Sequence, residues 1–249
     1  MELRLSLGDQ VYRVDLSAPL DISLPLQPGL ETVNCFYAPP AEFLPHREGN
    51  FVGAIDAGAP VNFFNIRVNP HGNGTHTECL GHIAPGGHTL AHTLRRFHLI
   101  ARLISVYPQR QPNGDRTIEP EQVSDALQGV DALVIRTLPN DEGKKQRHYS
   151  GTNPPYLSPA AAGLLAQAGI DHLLIDLPSV DKEEDGGKLL AHRAFWRYPE
   201  RPRWESTISE LIFVDNLIKD GLFLLNLQTV RIALDVSPSR PVLYPMVPC

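Results

Sequence analysis

The chain has 249 residues and a formal net charge of −6 at pH 7; 42% of its residues are hydrophobic and 20% are charged. This balance is ordinary for a globular protein, and the length suffices to bury a substantial core. An acidic chain with no basic block or stripe lacks the footprint of a nucleic-acid-binding protein and is poorly suited to an anionic membrane surface. No apolar run reaches the roughly 18 residues that a membrane-spanning helix needs.

Cysteine usage and the first residues bear on the compartment. Residues 1–17 alternate polar and apolar side chains and lack the charged-then-apolar pattern of a secretion signal. The three cysteines, Cys35, Cys79 and Cys249, are odd in number, far apart and without metal-ligand spacing. We therefore expect a reduced, cytoplasmic protein.

The first half of the chain predicts short strands. Residues 2–15 alternate around Gly8-Asp9 and predict a hairpin. The 23 prolines disfavour long helices, and residues 19–60, rich in Pro, Gly and Asn, predict extended loops and edge strands. Strands are also predicted over residues 61–68 (VNFFNIRV) and, fully buried, over 99–107 (LIARLISVY).

The second half adds helices. A helix with Pro120 in its first turn is predicted over residues 119–127. The clearest helix starts at the Ser158 cap with Pro159 at its first position, and it stops at Gly169. Further strands are predicted over residues 132–136, 172–176, 222–227 and 230–234. Strands outnumber helices, so the sequence predicts a single mixed α/β domain with a strand-rich core, spanning residues 1–249.

Residues 71–82, HGNGTHTECLGH, hold three histidines and a glutamate within twelve residues. In an extended backbone, His76 and Glu78 would face the same side and could provide two ligands of a divalent-metal site. Gly72 and Gly74 allow close backbone approach and positive φ, so His71 could fold back toward the same point.

His82 follows Glu78 by four residues and could act as a ligand, a proton shuttle or a general acid–base. Any one of these histidines could instead be a structural residue of a turn-rich loop, but the combination favours a functional site. By contrast, His88, His92 and His98 lie in a helix-like stretch without a carboxylate, and we expect an exposed helix face there.

A second segment, residues 175–196, also carries candidate groups. Asp176 ends a predicted buried strand, where α/β proteins commonly place site residues. The acidic run that follows, with Asp181, predicts a solvated loop. His192 stands in the apolar context LLAHRAFW and is equally explained as a core histidine or as a site residue.

Together the two segments resemble the cyclase family of metal-dependent hydrolases, which includes bacterial kynurenine formamidases. Residues 71–82 are similar to the family pattern H-x-G-T-H-x-D-x-P-x-H, and the opening D-[IL]-S fits both Asp15-Leu16-Ser17 and Asp21-Ile22-Ser23. Similar pieces follow in the family's order at residues 157–159 (LSP), 176–181 (DLPSVD) and 190–193 (LAHR). The resemblance implies a swivelling β/β/α fold.

The resemblance also implies ligands. By position, His76 binds metal, Glu78 replaces the family's bridging aspartate, and His192 is the later histidine. The family's late glutamate normally stands in an E-N-L triplet, where this chain has Asp215-Asn216-Leu217. Glu210, however, stands 11 residues before Gly221, about the family distance, whereas Asp215 stands only six before it. We therefore choose Glu210.

Three departures from the family pattern are visible. His71 precedes His76 by five residues rather than four, so Gly72-Asn73 must absorb an insertion. Glu78 is one methylene longer than aspartate, and Cys79-Leu80 replaces a small residue and a proline. Metal number and substrate therefore do not follow from the resemblance.

The resemblance implies an arylformamidase-like enzyme that hydrolyses the C–N bond of a small amide, a formamide or a cyclic amide. One or two Zn²⁺ or Mn²⁺ ions would lower the pKa of a bound water to about 7. The catalytic residues would be His82, protonating the leaving nitrogen, and Glu210. The expected metal ligands are His71, His76, Glu78, His192 and Glu210. A lactone or ester hydrolase with the same site, and an inactive homologue that only binds a ligand or metal, remain alternatives.

The expected partners are a small-molecule amide substrate and further copies of this chain, as a homodimer or homotetramer, with no nucleic acid and no membrane. The apolar residues 242–247 (VLYPMV) could pack across such an interface. Pocket walls are expected from residues 19–60 and 147–156, where Tyr149 and Tyr156 could line the pocket or belong to the core.

Overall fold

Eighteen strands and five helices make up the computed structural model, which describes residues 1–249. The strands are β1 (Glu2–Leu7), β2 (Gln10–Asp15), β3 (Leu20–Asp21), β4 (Glu42–Pro45), β5 (Arg47–Glu48), β6 (Phe51–Val52), β7 (Phe64–Arg67), β8 (His76–Cys79), β9 (His98–Val106), β10 (Gln109–Arg110), β11 (Arg116–Ile118), β12 (Ala132–Thr137), β13 (Tyr156–Leu157), β14 (His172–Ile175), β15 (Thr207–Glu210), β16 (Gly221–Asn226), β17 (Val236–Pro238) and β18 (Val242–Pro248). The helices are α1 (Pro70–Asn73), α2 (Leu90–Thr93), α3 (Pro120–Val123), α4 (Pro159–Ala168) and α5 (Leu190–Trp196). None of these helices combines the length and apolar character needed to cross a membrane.

One large sheet contains eleven of the strands, in the order β1-β2-β18-β16-β9-β12-β14-β15-β8-β17 with β3 beside β18. Strands β9, β12, β14 and β15 are parallel, and β8 runs antiparallel to β15. This reversal pairs Glu210, the last residue of β15, with His76, the first residue of β8. Two segments far apart in the chain therefore meet at one point of the sheet.

Both faces of the central sheet are buried. Leu133 and Ile135 of β12 join a cluster of 22 buried residues that includes Trp196 of α5 and Leu165 of α4. On the opposite face, Val134 belongs to a second cluster of 16 residues. A strand covered on both faces needs a continuous apolar run, which is what residues 132–136 present. The predicted strand-rich, mixed α/β fold class is confirmed.

Helix α4 forms as its end signals predict. The Ser158 Oγ accepts a hydrogen bond from the Ala161 N–H at 3.1 Å, and Pro159 occupies the first helical position. The helix ends at Gly169, which has a φ of 83°. The hairpin of β1 and β2 and the strands β9, β12, β14 and β16 also lie where the sequence predicts them, to within about two residues at each end.

Three local predictions need correction. Residues 230–234 form no strand: Val230 and Leu234 are 64% and 50% exposed, and the strand begins instead at Val236, where β8 offers a partner. The predicted helix of residues 119–127 is α3 followed by a separate 3₁₀ turn. The helix-like stretch after His88 shortens to the single turn α2, and His98 opens β9.

Residues 242–247, which we expected could pack across an interface, are partly covered within the chain. They belong to β18, which is hydrogen-bonded to β16 on one side and to β2 and β3 on the other. Its Leu243 and Met246 are buried within this chain. Val247 is 47% exposed, and packing of this segment across an interface stays a prediction.

Candidate metal centre

A one-turn helix and a short strand position the first group of candidate ligands. Helix α1 starts with Pro70 at its first position, and the Asn69 side chain accepts a hydrogen bond from the Gly72 N–H at 3.1 Å. The turn places His71 beside β8, on which His76 and Glu78 are buried. The period of two along an extended strand sends these two side chains to the same side.

Gly72 and Gly74 are required for close approach and not for positive φ, so that part of the expectation is wrong. A Cβ on Gly72 would lie 2.3 Å from the Cβ of Ala38. A Cβ on Gly74 would lie 2.9 Å from Cδ2 of Leu26. The backbone before β8 therefore packs directly on the proline-rich loop of residues 19–60.

The structure brings all five expected ligands together. His192 Nε2 lies 2.9 Å from Glu78 Oε1, and His71 Nδ1 lies 3.3 Å from Glu78 Oε2. On the other side, His76 Nε2 lies 3.3 Å from Glu210 Oε2. Four of the five residues are at most 2% exposed, whereas the His71 side chain is 26% exposed.

Each of the three imidazoles turns its second nitrogen outward to an acceptor. His76 Nδ1 lies 2.9 Å from the Gly74 carbonyl oxygen, and His192 Nδ1 lies 2.6 Å from Asp181 Oδ2. His71 Nε2 lies 3.5 Å from Asp235 Oδ2. An outer acceptor that receives a hydrogen bond from the ring N–H keeps the proton on that nitrogen and leaves the inner nitrogen free to bind a metal, which is how metal-binding histidines are usually held.

Two buried atoms at the centre support the fit of a cation. His76 Nε2 and Glu78 Oε2 have no hydrogen-bond partner, although buried polar atoms are normally paired. Ligand atoms within 4.8 Å of one another occur in three overlapping groups: His71, His76 and Glu78; Glu78, His82 and His192; and His71, His82 and Asp235. Imidazole nitrogens with carboxylate oxygens form a donor set that suits Zn²⁺ and Mn²⁺.

Without a cation, the cluster balances its charge internally. Burial raises the pKa of Glu78, but the imidazoles of His82 and His192 outweigh burial and hold that pKa well below its usual value. Burial lowers the pKa of His192, but Glu78 and Asp181 outweigh it and hold that pKa well above its usual value. Burial lowers the pKa of His71, but the neighbouring carboxylates of Asp235 and Glu78 outweigh it and raise that pKa to about 10. A divalent cation can take the place of these imidazolium protons.

Glu210, rather than Asp215, lies in the cluster. Glu210 Oε1 accepts a hydrogen bond from the Val180 N–H at 2.8 Å, which fixes the carboxylate beneath His76. Asp215 is exposed, and its carboxylate accepts a hydrogen bond from the Leu217 N–H at 2.8 Å. The acid of the triplet that resembles E-N-L therefore shapes a turn outside the site.

The prediction that Asp181 lies in a solvated acidic loop is wrong. It is 6% exposed, and its carboxylate accepts hydrogen bonds from the Ala191 and His192 N–H groups at the start of α5. The same carboxylate holds His192 Nδ1. Asp181 thus orients the histidine from both its backbone and its ring.

Asp235 was missed by the sequence analysis. Its side chain is 27% exposed, and its Oδ2 lies 3.3 Å from His82 Nδ1 as well as near His71. An acid beside a predicted strand, the same signal that drew attention to Asp176, also marks this residue. The strand was predicted over residues 230–234 instead of 236–238, so the sequence did not indicate that Asp235 lies beside β8.

The remaining candidates lie outside the cluster. Asp176 is buried, accepts hydrogen bonds from the Thr137 N–H, and forms an ion pair with Lys144 Nζ at 2.8 Å. His88 Nε2 lies 2.9 Å from Thr93 Oγ1, and His92 is exposed. These residues stabilise local structure.

A cavity of about 400 Å³ opens beside the cluster and is lined by His71 and Asp235 together with residues such as Pro39, Pro40 and Arg67. Pro39 and Pro40 agree with a pocket wall from residues 19–60. Residues 147–156 line a separate cavity of about 690 Å³ that none of the cluster residues reaches. Tyr149 is buried beside Cys35, and the Tyr156 hydroxyl donates a hydrogen bond to Asp115.

Comparison with known families identifies the chain. The model of the Cyclase family matches residues 14–182, which is more than half of the sequence. The chain belongs to the cyclase family. The match contains the segment of residues 71–82 and the acidic residue Asp181, and it ends before α5.

Solved structures share the cyclase-family fold. A potential metal-dependent hydrolase with cyclase activity superposes with a TM-score of 0.66 at 16% identity, covering 91% of this chain and 97% of that one. An isatin hydrolase bound to the product analogue thioisatinate superposes with a TM-score of 0.63 at 16% identity, covering 93% of this chain and 92% of that one. Isatin hydrolase A from Labrenzia aggregata, bound to benzyl benzoate, superposes with a TM-score of 0.62 at 15% identity, covering 92% of this chain and 93% of that one. At such identities the likeness is one of fold.

Proposed function

We propose that this cyclase-family chain is a metal-dependent hydrolase that cleaves the C–N bond of a small amide, a formamide or a cyclic amide, as an arylformamidase does. The observation that carries the proposal is the buried arrangement in which three imidazoles turn one nitrogen each toward Glu78 and Glu210. Purely structural histidines would not leave His76 Nε2 and Glu78 Oε2 without partners at the centre of that arrangement.

One or two divalent ions, Zn²⁺ or Mn²⁺, would be held by His71, His76, Glu78, His192 and Glu210. Such an ion supplies Lewis acidity, which lowers the pKa of water to about 7 and stabilises negative charge on the attacked carbonyl oxygen. The protein holds the ligands for this task. Asp181 and the Gly74 carbonyl keep the ring protons of His192 and His76 on their outer nitrogens.

His82 is the group that we assign to proton transfer. Its ring centroid lies 4.5 Å from that of His71 and 5.6 Å from that of His192, and its side chain is 30% exposed. It therefore reaches both the cluster and solvent. Water adds its oxygen to the carbonyl carbon and releases one proton, the C–N bond breaks, and the leaving nitrogen takes a proton from His82, which the proton released by water restores.

We assign Glu210 a catalytic role in addition to its role as a metal ligand. The Val180 N–H fixes its Oε1, so that Oε2 faces His76 Nε2. A carboxylate held in this way cannot swing away as charge develops on the substrate, and preorganised groups of this kind are the main source of electrostatic stabilisation in enzymes.

The size of the adjoining cavity and the structural neighbours support a small amide. A volume of about 400 Å³ is that of a pocket for a small molecule. Three of the structural neighbours are isatin hydrolases, and isatin is a cyclic amide. The proposed substrate class extends this chemistry to open-chain formamides, which present the same carbonyl–nitrogen bond.

The test combines metal analysis with a substrate panel of formamides, cyclic amides and lactones. We expect purified protein to contain a stoichiometric divalent metal and to hydrolyse at least one amide, and His76→Ala to lose both properties. His92→Ala, which changes an exposed histidine outside the cluster, should keep both. Turnover of lactones alone would indicate an ester hydrolase, and metal without turnover would indicate a binding protein; either result contradicts the proposal.

A further inference from the structure

Asp235 enters the site from a segment whose backbone is independently anchored. The Asp235 carbonyl oxygen accepts a hydrogen bond from the Cys79 N–H at 2.9 Å, and the Leu234 carbonyl oxygen accepts one from the Leu90 N–H at 2.9 Å. Directly after it, β17 pairs with β8. The position of the carboxylate is therefore set by main-chain bonds that do not depend on the carboxylate itself.

The Asp235 carboxylate lies on the outer side of His71. Its Oδ2 is 3.5 Å from His71 Nε2, while His71 Nδ1 faces Glu78 Oε2 at 3.3 Å. A neutral imidazole carries one proton, and an acceptor at Nε2 retains that proton there. The Nδ1 lone pair then points to the centre of the cluster, where a metal would lie.

His71 depends on this acceptor more than the other two imidazoles depend on theirs. His76 and His192 are fully buried, and their outer nitrogens face the Gly74 carbonyl and the buried Asp181. His71 is 26% exposed and sits on the one-turn helix α1 rather than on β8. Neither its backbone nor surrounding side chains restrict its ring to the same degree.

We propose that Asp235 is the positioning residue that makes His71 a metal ligand, by holding the proton on Nε2 and fixing the plane of the ring. His71 lies on α1, five residues before His76 and outside β8, so strand pairing does not hold it. The inference rests on the proposed metal centre. In this proposal Asp235 acts on the metal through His71, and the same oxygen also shares a hydrogen bond with His82 Nδ1 at 3.3 Å.

The test measures Zn²⁺ affinity of metal-stripped full-length protein by competition with a chelator dye. Asp235→Ala should weaken binding by about 10–100-fold, the effect typical of losing an outer-shell partner. Asp235→Asn keeps an acceptor oxygen, so its Zn²⁺ affinity should fall less than that of Asp235→Ala. Asp215→Ala, which removes an exposed acid outside the cluster, should leave the affinity unchanged. Urea unfolding of each stripped variant checks that the fold is retained.

A double-mutant cycle identifies the residue through which Asp235 acts. In a His71→Ala background, Asp235→Ala should add almost nothing, whereas in a His82→Ala background its full effect should persist. An undiminished effect without His71 would make Asp235 a direct ligand and overturn the proposal, and so would wild-type affinity of Asp235→Ala. If the wild-type protein itself binds no zinc, the proposed metal centre fails, which is a separate result.

Discussion

Replacing Asp181 by alanine removes the acceptor of three hydrogen bonds at the start of α5. Asp181 Oδ1 accepts from the Ala191 N–H at 2.7 Å, and Oδ2 accepts from the His192 N–H at 3.1 Å and lies 2.6 Å from His192 Nδ1. The N-cap residue itself, Leu189, contributes no side-chain hydrogen bond to this helix. The substitution therefore leaves two backbone donors and one ring nitrogen without partners in a buried place.

The expected loss of stability follows from these contacts. A hydrogen bond to a charged group contributes roughly 1.5–3 kcal/mol, and removing one partner of a buried charged pair costs about 3–5 kcal/mol. The two figures describe overlapping contacts and are not added. We expect the free energy of unfolding of the metal-free protein to fall by about 3 kcal/mol.

The assay is urea denaturation of metal-stripped protein, followed by zinc competition. Glu184→Ala is the matched control, because Glu184 is exposed in the same acidic run. We expect Asp181→Ala to lower the unfolding free energy as stated and zinc affinity by about 10–100-fold. A stability within about 0.5 kcal/mol of the control would refute the assignment of Asp181 as the partner of His192.

Three further predictions concern stability and metal content. Burial lowers the pKa of His172 to about 4, below the usual 6.5, so its neutral form is favoured in the fold. This preference contributes about 3 kcal/mol to the free energy of unfolding above pH 6.5, and the contribution is lost as the pH falls from 6.5 toward 4. Urea unfolding at the two pH values should therefore show a decrease that is about 3 kcal/mol smaller in His172→Gln than in the wild-type protein. Gly72→Ala should destabilise by about 1–3 kcal/mol in the same assay, because its Cβ overlaps Ala38; Gly163→Ala, with open space around it, should not. By metal analysis, Glu210→Gln should lose metal while Asp215→Asn retains it; the reverse would show that Asp215 is the ligand.

Local signals in the sequence were sufficient for the elements whose ends are marked by specific residues. Ser158, Pro159 and Gly169 delimit α4 because capping is a short-range interaction. The apolar runs of β9, β12 and β14 identify strands covered on both faces.

The site divides in a similar way. His76 and Glu78 could be placed together because two residues on one strand share a face. His192 and Glu210 come from distant segments, and only the resemblance to the cyclase family brought them to the same site. Their meeting depends on the pairing of β15 with β8, which local periodicity does not encode.

Asp181 and Asp235 show why the rest could not be predicted. An acidic run is usually solvated, and no neighbour of Asp181 in the sequence indicates that this loop folds back over α5. Asp235 reaches the cluster because β17 pairs with β8, more than 150 residues earlier in the chain. Both roles are properties of long-range contacts rather than of local sequence.

The central claim is that Glu78 and Glu210 hold a metal together with inward-facing imidazole nitrogens. Anomalous diffraction from a crystal of the protein, measured at the zinc and manganese absorption edges, tests it most directly. We predict an anomalous peak within bonding distance of His76 Nε2, His192 Nε2 and at least one of the two glutamates. A difference map with no peak there, or with a peak only on the outer side of His71, would contradict the account.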